Sequence, residues 1–383
     1  MDKTQNSSIF IITNGWFPQM AGGLDRYVYE LTSQLLSQQY FIEVGGVGLP
    51  ESSNDPNLKL INFAEPDEPL WRRLWLTRKN FAQRQMLKPD AINLHFALYG
   101  LPIIFGLPKN TPVTFNFHGP WALESDGETS HKLGVWIKKW IEKQVYSRCD
   151  RFIVLSKAFG DILHQEYGID WSRIFVVAGG VDTNRFQPSL SRSQARERLG
   201  WKQDRQILFT PRRLVQRMGI DRLLEAVAQV KEQVPEVWLA IAGKGVLRET
   251  LEEKAQGLGL ENHVQFLGFL PDDLLPIAYQ GADLTVVPSL ALEGFGLILL
   301  ESLACGTPVL STPVGGMPEV LNPFCTDLVT ETTEVSAIAT RLEQFLLGKL
   351  SLPSRQDCRN YAVDNFQWEK IAEQVVQVIL GKV

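Results

Sequence analysis

Glu293 and Glu301, with seven residues between them, stand in the stretch 289–309 (SLALEGFGLILLESLACGTPV). The apolar run before it, 284–288, reads as a buried strand, so the stretch starts at the carboxyl edge where α/β sheets take their ligands. Glu293 lies in a glycine-rich loop, and Phe295 to about Ala304 reads as a helix. The amides of Gly294, Phe295 and Gly296, together with that helix N-terminus, are placed to face a diphosphate. Glu301 sits later on the helix among Leu300, Leu303 and Ala304. A carboxylate in apolar company needs hydrogen-bond partners, and ribose hydroxyls would supply them.

A second group lies in the first half of the chain. Residues 114–120 (TFNFHGP) end an apolar strand and turn at Gly119, which puts His118 at a strand's carboxyl edge. Glu124 and Asp126 follow closely and are read as facing an acceptor. Asp25, just past Gly22 and Gly23, is read the same way or as an ordinary helix N-terminal charge. Two nucleotide motifs are missing. The chain has no GxxxxGK[ST] and so no P-loop. Gly22 and Gly23 lack the spacing of a dinucleotide fingerprint, and Gly46-Val47-Gly48 follows the second strand without opening a helix.

The stretch around Glu293 and Glu301 resembles the donor-binding signature of the retaining GT-B glycosyltransferases of family GT4. In that family the first glutamate contacts the transferred sugar and the second binds the ribose. Gly22-Gly23 resembles the N-terminal glycine loop beside the donor phosphates. Gly180-Val181-Asp182 with Phe186 and Pro188 resembles the interdomain segment, and Ala242-Gly243-Lys244-Gly245 with Arg248 the glycine turn. Phe366, Trp368 and Ile371 resemble the closing helix that crosses back to the N-terminal domain. The family usually shows Gly-Arg-Leu and then, three residues on, Lys-Gly, the Arg and Lys gripping the diphosphate. Here Arg213 falls on that arginine, whose planar fork suits phosphate oxygens, but Met218 stands where the lysine is expected. Either Arg217 or Arg212 swings in to replace the ammonium, or the site runs on less positive charge. The resemblance also places His118 near the donor sugar and the reaction centre, and implies transfer with retention and without a bound metal.

These residues need a framework of α/β units. Residues 8–13 (SIFIIT) read as a buried strand, 24–38 as a helix with Leu24, Tyr27, Val28, Leu31, Leu35 and Leu36 on one stripe, and 41–47 as a second strand. Strand, helix and strand make a βαβ unit with parallel strands. Strands follow at 91–95, 112–117, 151–155 and 174–177, with a helix at 132–145. After the broken stretch 178–188 the alternation restarts at 206–210, 221–233, 237–242 and 248–257, with further strands at 264–267, 284–288 and 308–311. Residues 366–380 read as a closing amphipathic helix. The expected architecture is α/β, GT-B, two Rossmann-like domains facing each other across a cleft. The acceptor-side domain takes 1–178 with the C-terminal helix 370–383, and the donor domain takes 179–369.

Composition agrees with two ordinary cores: 383 residues, 44% hydrophobic, 21% charged, net charge −5. An acidic balance disfavours a nucleic-acid binder. Up to residue 178 Lys and Arg equal Asp and Glu at 18 each, and beyond it 20 face 25, so the acidity belongs to the second half. Cys149, Cys305, Cys325 and Cys358 are far apart and read as reduced thiols. There is no signal-peptide pattern and no apolar run long enough to span a bilayer. Residues 71–88 carry Arg72, Arg73, Arg78, Lys79, Arg84 and Lys88 with Trp71, Trp75 and Phe81, and no acid. Residues 132–148 add Lys138, Lys139 and Lys143 beside Trp136 and Trp140. Such stretches suit anionic lipid head groups; the alternative is amphipathic helices with their tryptophans in the core.

The expected protein is thus a cytoplasmic enzyme, working free or at the inner membrane face. It moves a hexosyl group from a nucleotide-diphosphate sugar to a lipid-linked, polysaccharide or small-molecule acceptor, without cofactor. A GT-B sugar-nucleotide epimerase and a non-catalytic nucleotide-sugar-binding partner are the competing readings.

Overall fold

The structure, a computed structural model, describes residues 7–20, 22–84, 88–124 and 132–382. The chain divides into two compact units, Met1–Gly180 with Trp368–Val383, and Val181–Gln367.

The first unit is built on seven parallel strands: β1 (Ser8–Ile12), β2 (Phe41–Val47), β3 (Leu58–Ala64), β4 (Ala91–Leu94), β5 (Val113–Phe117), β6 (Arg151–Val154) and β7 (Ile174–Val176). Their order is β3-β2-β1-β4-β5-β6-β7. A parallel sheet is covered on both faces, which is why β1, β4 and β5 read as predominantly apolar runs. Alternation along the strands sends Phe10, Ile12, Ile92, Leu94 and Phe115 to one face. There they pack with Phe81 of the helix Leu70–Gln83 and Ile141 and Val145 of the helix Lys132–Tyr146. The helix Gly23–Ser37 packs with the last helix, Trp368–Leu380, which also lies against β4, β5 and β6.

One helix boundary and two elements differ from the sequence reading. The closing helix begins at Trp368, because Gln367 is extended (φ −61°, ψ 138°) and ends a separate helix, Arg355–Phe366. That preceding helix is started by a capping box, in which Ser354 and Asp357 exchange side-chain and backbone hydrogen bonds. The half-buried edge strand β3 and the helix Lys157–Tyr167 were not anticipated. β3 (LKLINFA) carries Lys59 and Asn62 within its apolar run, which blunts its strand signal.

The second unit holds five parallel strands: β8 (Gln206–Pro211), β9 (Val237–Ala242), β10 (Val264–Gly268), β11 (Leu284–Val287) and β12 (Val309–Ser311), in the order β10-β9-β8-β11-β12. Its core gathers Leu208, Leu239, Ile241, Leu284 and Val286 under the helices Ile220–Val230 and Val335–Leu346. In each sheet the first strand has neighbours wound in opposite directions, so the order reverses between β1 and β4 and between β8 and β11. Crevices at such reversals, outside the carboxyl ends of the strands, are where open α/β sheets bind ligands.

Candidate active site

At the β8/β11 reversal three loops are tied to one another by backbone. The loop after β8 meets the loop after β9 through Leu214 N–H to Lys244 O (2.9 Å) and Leu247 N–H to Leu214 O (3.0 Å). It meets the loop after β11 through Leu290 N–H to Arg217 O (2.8 Å). Glycines make the approach feasible: a Cβ on Gly243 would lie 1.9 Å from Arg212 O, and one on Gly315 1.8 Å from Glu293 O. Gly315 also has φ +57°, the left-handed region that glycine enters without steric cost.

Inside this frame Arg212 reaches across the reversal. Its guanidinium Nη2 donates to Ser289 Oγ and to Glu293 Oε2, and Ser289 Oγ donates to the same carboxylate oxygen at 3.1 Å. Arg212 is buried and the Glu293 side chain is only 14% exposed. Burial works to raise the pKa of Glu293, but the Arg212 charge and the two hydrogen bonds, with a smaller contribution from Arg217, outweigh it and hold the carboxyl below its ordinary range. Glu293 is therefore an oriented carboxylate. The backbone O of Glu293 accepts from Gly316 N–H at 3.0 Å, which holds the loop as well as the side chain.

Met218 is buried in the apolar cluster with Leu208, Leu214 and Ile220. The position where the resemblance expects a lysine thus turns into the core, and the buried cation of this edge is Arg212. Arg213 and Lys244 are exposed; Lys244 lies over the Phe269 ring at 5.3 Å. Arg217 donates to Leu292 O at 3.2 Å. The helix expected from Phe295 begins at Leu297, because Gly296 takes φ +78° and serves as its N-cap, so Gly294 and Phe295 precede it in the loop. Glu301, one turn into that helix, accepts a hydrogen bond from Tyr279 Oη at 2.8 Å.

In the first unit His118 follows β5 and His95 follows β4, beside the other reversal. His95 Nδ1 lies 2.9 Å from His118 Nε2, and the rings stack with centroids 5.1 Å apart. Burial pushes the His118 imidazole down to about 4 and that of His95 well below its ordinary value. Asp25 is buried near Asn14 and Gly15, and desolvation raises its pKa. It is therefore more than a surface charge at a helix start. A Cβ on Gly22 would lie 2.6 Å from Asp25 Oδ2, whereas one on Gly23 would meet nothing within 4 Å. Glu124 ends the short helix Trp121–Glu124; its side chain, and all of Asp126, lie outside the described residues.

Sequence reasoning missed Tyr279, the pairing of Arg212 with Glu293, and the partners of His118. A signal for the last was present: β4 and β5 run into the same pattern, Asn93-Leu94-His95 and Asn116-Phe117-His118. Polar residues two apart in otherwise apolar parallel strands share one face and are buried together.

Residues 21–185 match the model described as Glycosyltransferase Family 4, and residues 191–365 that of Glycosyl transferases group 1. The chain belongs to this family of glycosyltransferases. It is 35% identical over 211 residues to the GDP-mannose-dependent alpha-(1-6)-phosphatidylinositol monomannoside mannosyltransferase of Mycolicibacterium smegmatis, covering 53% of this chain and 55% of that protein. The chain thus spans little more than half the length of that curated relative. Sucrose-phosphate synthase from Thermosynechococcus elongatus superposes with TM-score 0.82 at 23% identity, over 97% of this chain and 98% of the other. Anabaena HepE in complex with UDP and glucose gives TM-score 0.76 at 20% identity, over 99% and 100%. These likenesses identify the fold as GT-B.

One surface of the first unit carries exposed aromatic residues. The helices Leu70–Gln83 and Lys132–Tyr146 cover the same face of the first sheet, and their tryptophans point outward. Trp71, Trp75, Trp136 and Trp140 are 46–72% exposed, with Leu133 and Ile137 exposed on the second of these helices. The alternative that these tryptophans fill the core is overturned. Among the described residues no helix is long and apolar enough to cross a membrane.

Proposed function

We propose that this chain is a retaining glycosyltransferase that moves a hexosyl group from a nucleotide-diphosphate sugar to a hydroxyl of a lipid-linked, polysaccharide or small-molecule acceptor. The observation that carries the reading is the oriented Glu293 carboxylate at the β8/β11 reversal, gripped by Arg212 and Ser289 in a chain whose relatives are glycosyltransferases. In this reading Glu293 holds hydroxyls of the transferred sugar and Glu301 the ribose. Arg213, Arg217, Gly243, Lys244 and the amides of Gly294, Phe295 and Gly296 meet the diphosphate, and Gly22 and Gly23 are proposed as further donor contacts. His118 lies against the sugar, and Asp25 and Glu124 serve the acceptor. The epimerase alternative finds no support among these relatives.

The chemistry follows from charge. The bond from the anomeric carbon to the diphosphate oxygen breaks, and positive charge develops on the sugar while negative charge develops on the leaving group. Arginine and backbone amides stabilise the latter as preorganised donors, without a resident metal in this reading. The acceptor hydroxyl bonds to the anomeric carbon from the face the nucleotide leaves, and its proton passes to the departing phosphate oxygen. Turnover of nucleotide sugars followed by proton NMR tests this. The expected product keeps the anomeric configuration of the donor; an inverted product, or none with any donor and acceptor, overturns the proposal.

The outward tryptophans support a second element, contact with an anionic membrane. Arg72, Arg78, Lys79, Lys138, Lys139 and Lys143 share their helices, and each such charge near an anionic surface adds about 1 kcal/mol. Co-sedimentation with phosphatidylglycerol vesicles is expected, weakened by salt and by replacing Trp71, Trp75 and Trp136 with Ser. Equal recovery with vesicles of phosphatidylcholine alone, or none with either, contradicts it. The proposed place of work is the cytoplasm, at the inner face of the membrane.

A further inference from the structure

His118 belongs to a buried chain of side chains whose hydrogen-bond directions can be assigned one after another. The anchor is Thr114 O on β5, a backbone carbonyl, which only accepts. Asn93 Nδ2 donates to it at 3.2 Å and to Asn116 Oδ1 at 2.8 Å, so the orientation of the Asn93 amide is settled. The other end of that amide, Oδ1, lies 2.7 Å from His95 Nε2. An amide oxygen cannot donate, so His95 Nε2 carries the hydrogen. Asn116 closes the opposite end, with its Nδ2 3.3 Å from Tyr27 Oη.

His95 is 2% exposed, and burial keeps it neutral. A neutral imidazole with its hydrogen on Nε2 has a lone pair on Nδ1. That nitrogen is the one facing His118 Nε2, so the hydrogen between the two rings belongs to His118. A neutral His118 then has its second nitrogen, Nδ1, unprotonated.

We infer that His95 is a positioning residue that locks His118 in the Nε2–H tautomer, so that His118 meets its ligand with the lone pair of Nδ1 and recognises a hydroxyl that donates to it. This inference rests on the proposed function only for the identity of that ligand, a hydroxyl of the transferred sugar. It rules out His118 as a general acid in the resting enzyme, because the only ring hydrogen is committed to His95. Parallel register makes the arrangement possible: Asn93 pairs with Thr114 across β4 and β5, so each strand delivers its Asn and, two residues later, its His to one edge.

The test uses the full chain labelled with nitrogen-15 histidine, with His118→Gln to assign the ring. Nitrogen–hydrogen correlation spectra should show His118 protonated at Nε2 and bare at Nδ1 at neutral pH. His95→Phe removes both nitrogens and should release that preference, lowering kcat by about 10²-fold, the order expected when a reacting group loses its placement, with little change in KM. His95→Gln, which can return an amide oxygen to the position facing Nε2, should restore the tautomer and much of the rate. Hydrogen on Nδ1 in the wild-type spectrum, or an unchanged His118 tautomer in folded His95→Phe, overturns the inference. Should His95→Phe fail to fold, the wild-type spectrum decides alone. The expected tautomer in a protein that turns over no nucleotide sugar would leave the assignment standing and remove the glycosyltransferase reading instead.

Discussion

Replacing Arg212 with Met should reverse the way this protein's stability depends on pH around Glu293. In the native chain Arg212 holds the buried Glu293 carboxyl below its ordinary range. A carboxyl with a depressed folded pKa adds stability that is present above its unfolded value, near 4.5, and is lost as pH falls through the folded value. In Arg212→Met most of the opposing charge is gone, so burial acts nearly alone and raises the pKa. The carboxyl then weakens the fold increasingly as pH rises. Removing one partner of a buried ion pair costs about 3–5 kcal/mol, and that full loss should be reached near pH 8. In a unit of this size it corresponds to a fall of about 10 °C in the midpoint of its unfolding. Near pH 5 the loss should be clearly smaller. Thermal unfolding of the native chain, Arg212→Met, Glu293→Gln and the double variant at both pH values measures this directly. The double variant should regain most of the loss, since neither charge remains unpaired. A loss that is the same at both pH values, or below about 1 kcal/mol at pH 8, would refute the argument that the pair is buried and coupled.

Other consequences are as specific. His118 titrates near 4 in the fold against 6.5 ordinarily, so it adds stability that is present above pH 6.5 and lost as pH falls toward 4; at about 1.4 kcal/mol per pH unit that is about 3 kcal/mol. Urea unfolding of His118→Gln should lose this slope, and the rate of the native enzyme should show no inflection near 6.5. Glu142, buried and bonded to Tyr167 Oη at 2.7 Å, is pushed up to about 7, chiefly by burial. It therefore adds stability below its ordinary value that is lost as pH rises through 7, and Glu142→Gln should be the more stable protein at pH 8, by about 1–3 kcal/mol. Gly315→Ala places a methyl against Glu293 O in a left-handed conformation. It should cost about 1–2 kcal/mol from the backbone alone and lower kcat by displacing Glu293; an unchanged kcat would mean that the loop is not held where Gly315 puts it.

Where the sequence could be read, the reason was local. The strands around β1, β4, β5, β8 and β9 are buried on both faces, so their runs are mostly apolar with only a few buried polar residues such as Asn93 and Asn116, and the helices between them show one apolar stripe. Loops rich in glycine marked the carboxyl edges because close backbone approach excludes side chains, as at Gly243 and Gly315. What stayed hidden depends on pairing across strands distant in sequence. Arg212 and Glu293 are 81 residues apart, and nothing in either segment says which arginine of Arg212, Arg213 and Arg217 turns inward. That Arg212 is buried and Arg213 exposed in the loop after β8 becomes visible only once β8 is placed beside β11. Met218 stands in the sequence as a missing cation, whereas its side chain belongs to the core. The tryptophans of the two basic helices could be read either way, since aromatic residues at helical spacing fill cores more often than they face solvent.

The central claim, a nucleotide-sugar site on the second unit, is tested most directly by calorimetric titration of UDP, GDP and ADP into the native chain and into Glu301→Ala and Arg213→Ala. One nucleotide should bind the native chain, with affinity reduced by each substitution while the folded state persists. Binding of none of the three, or binding that neither substitution weakens, would contradict the placement of the donor at the β8/β11 crevice.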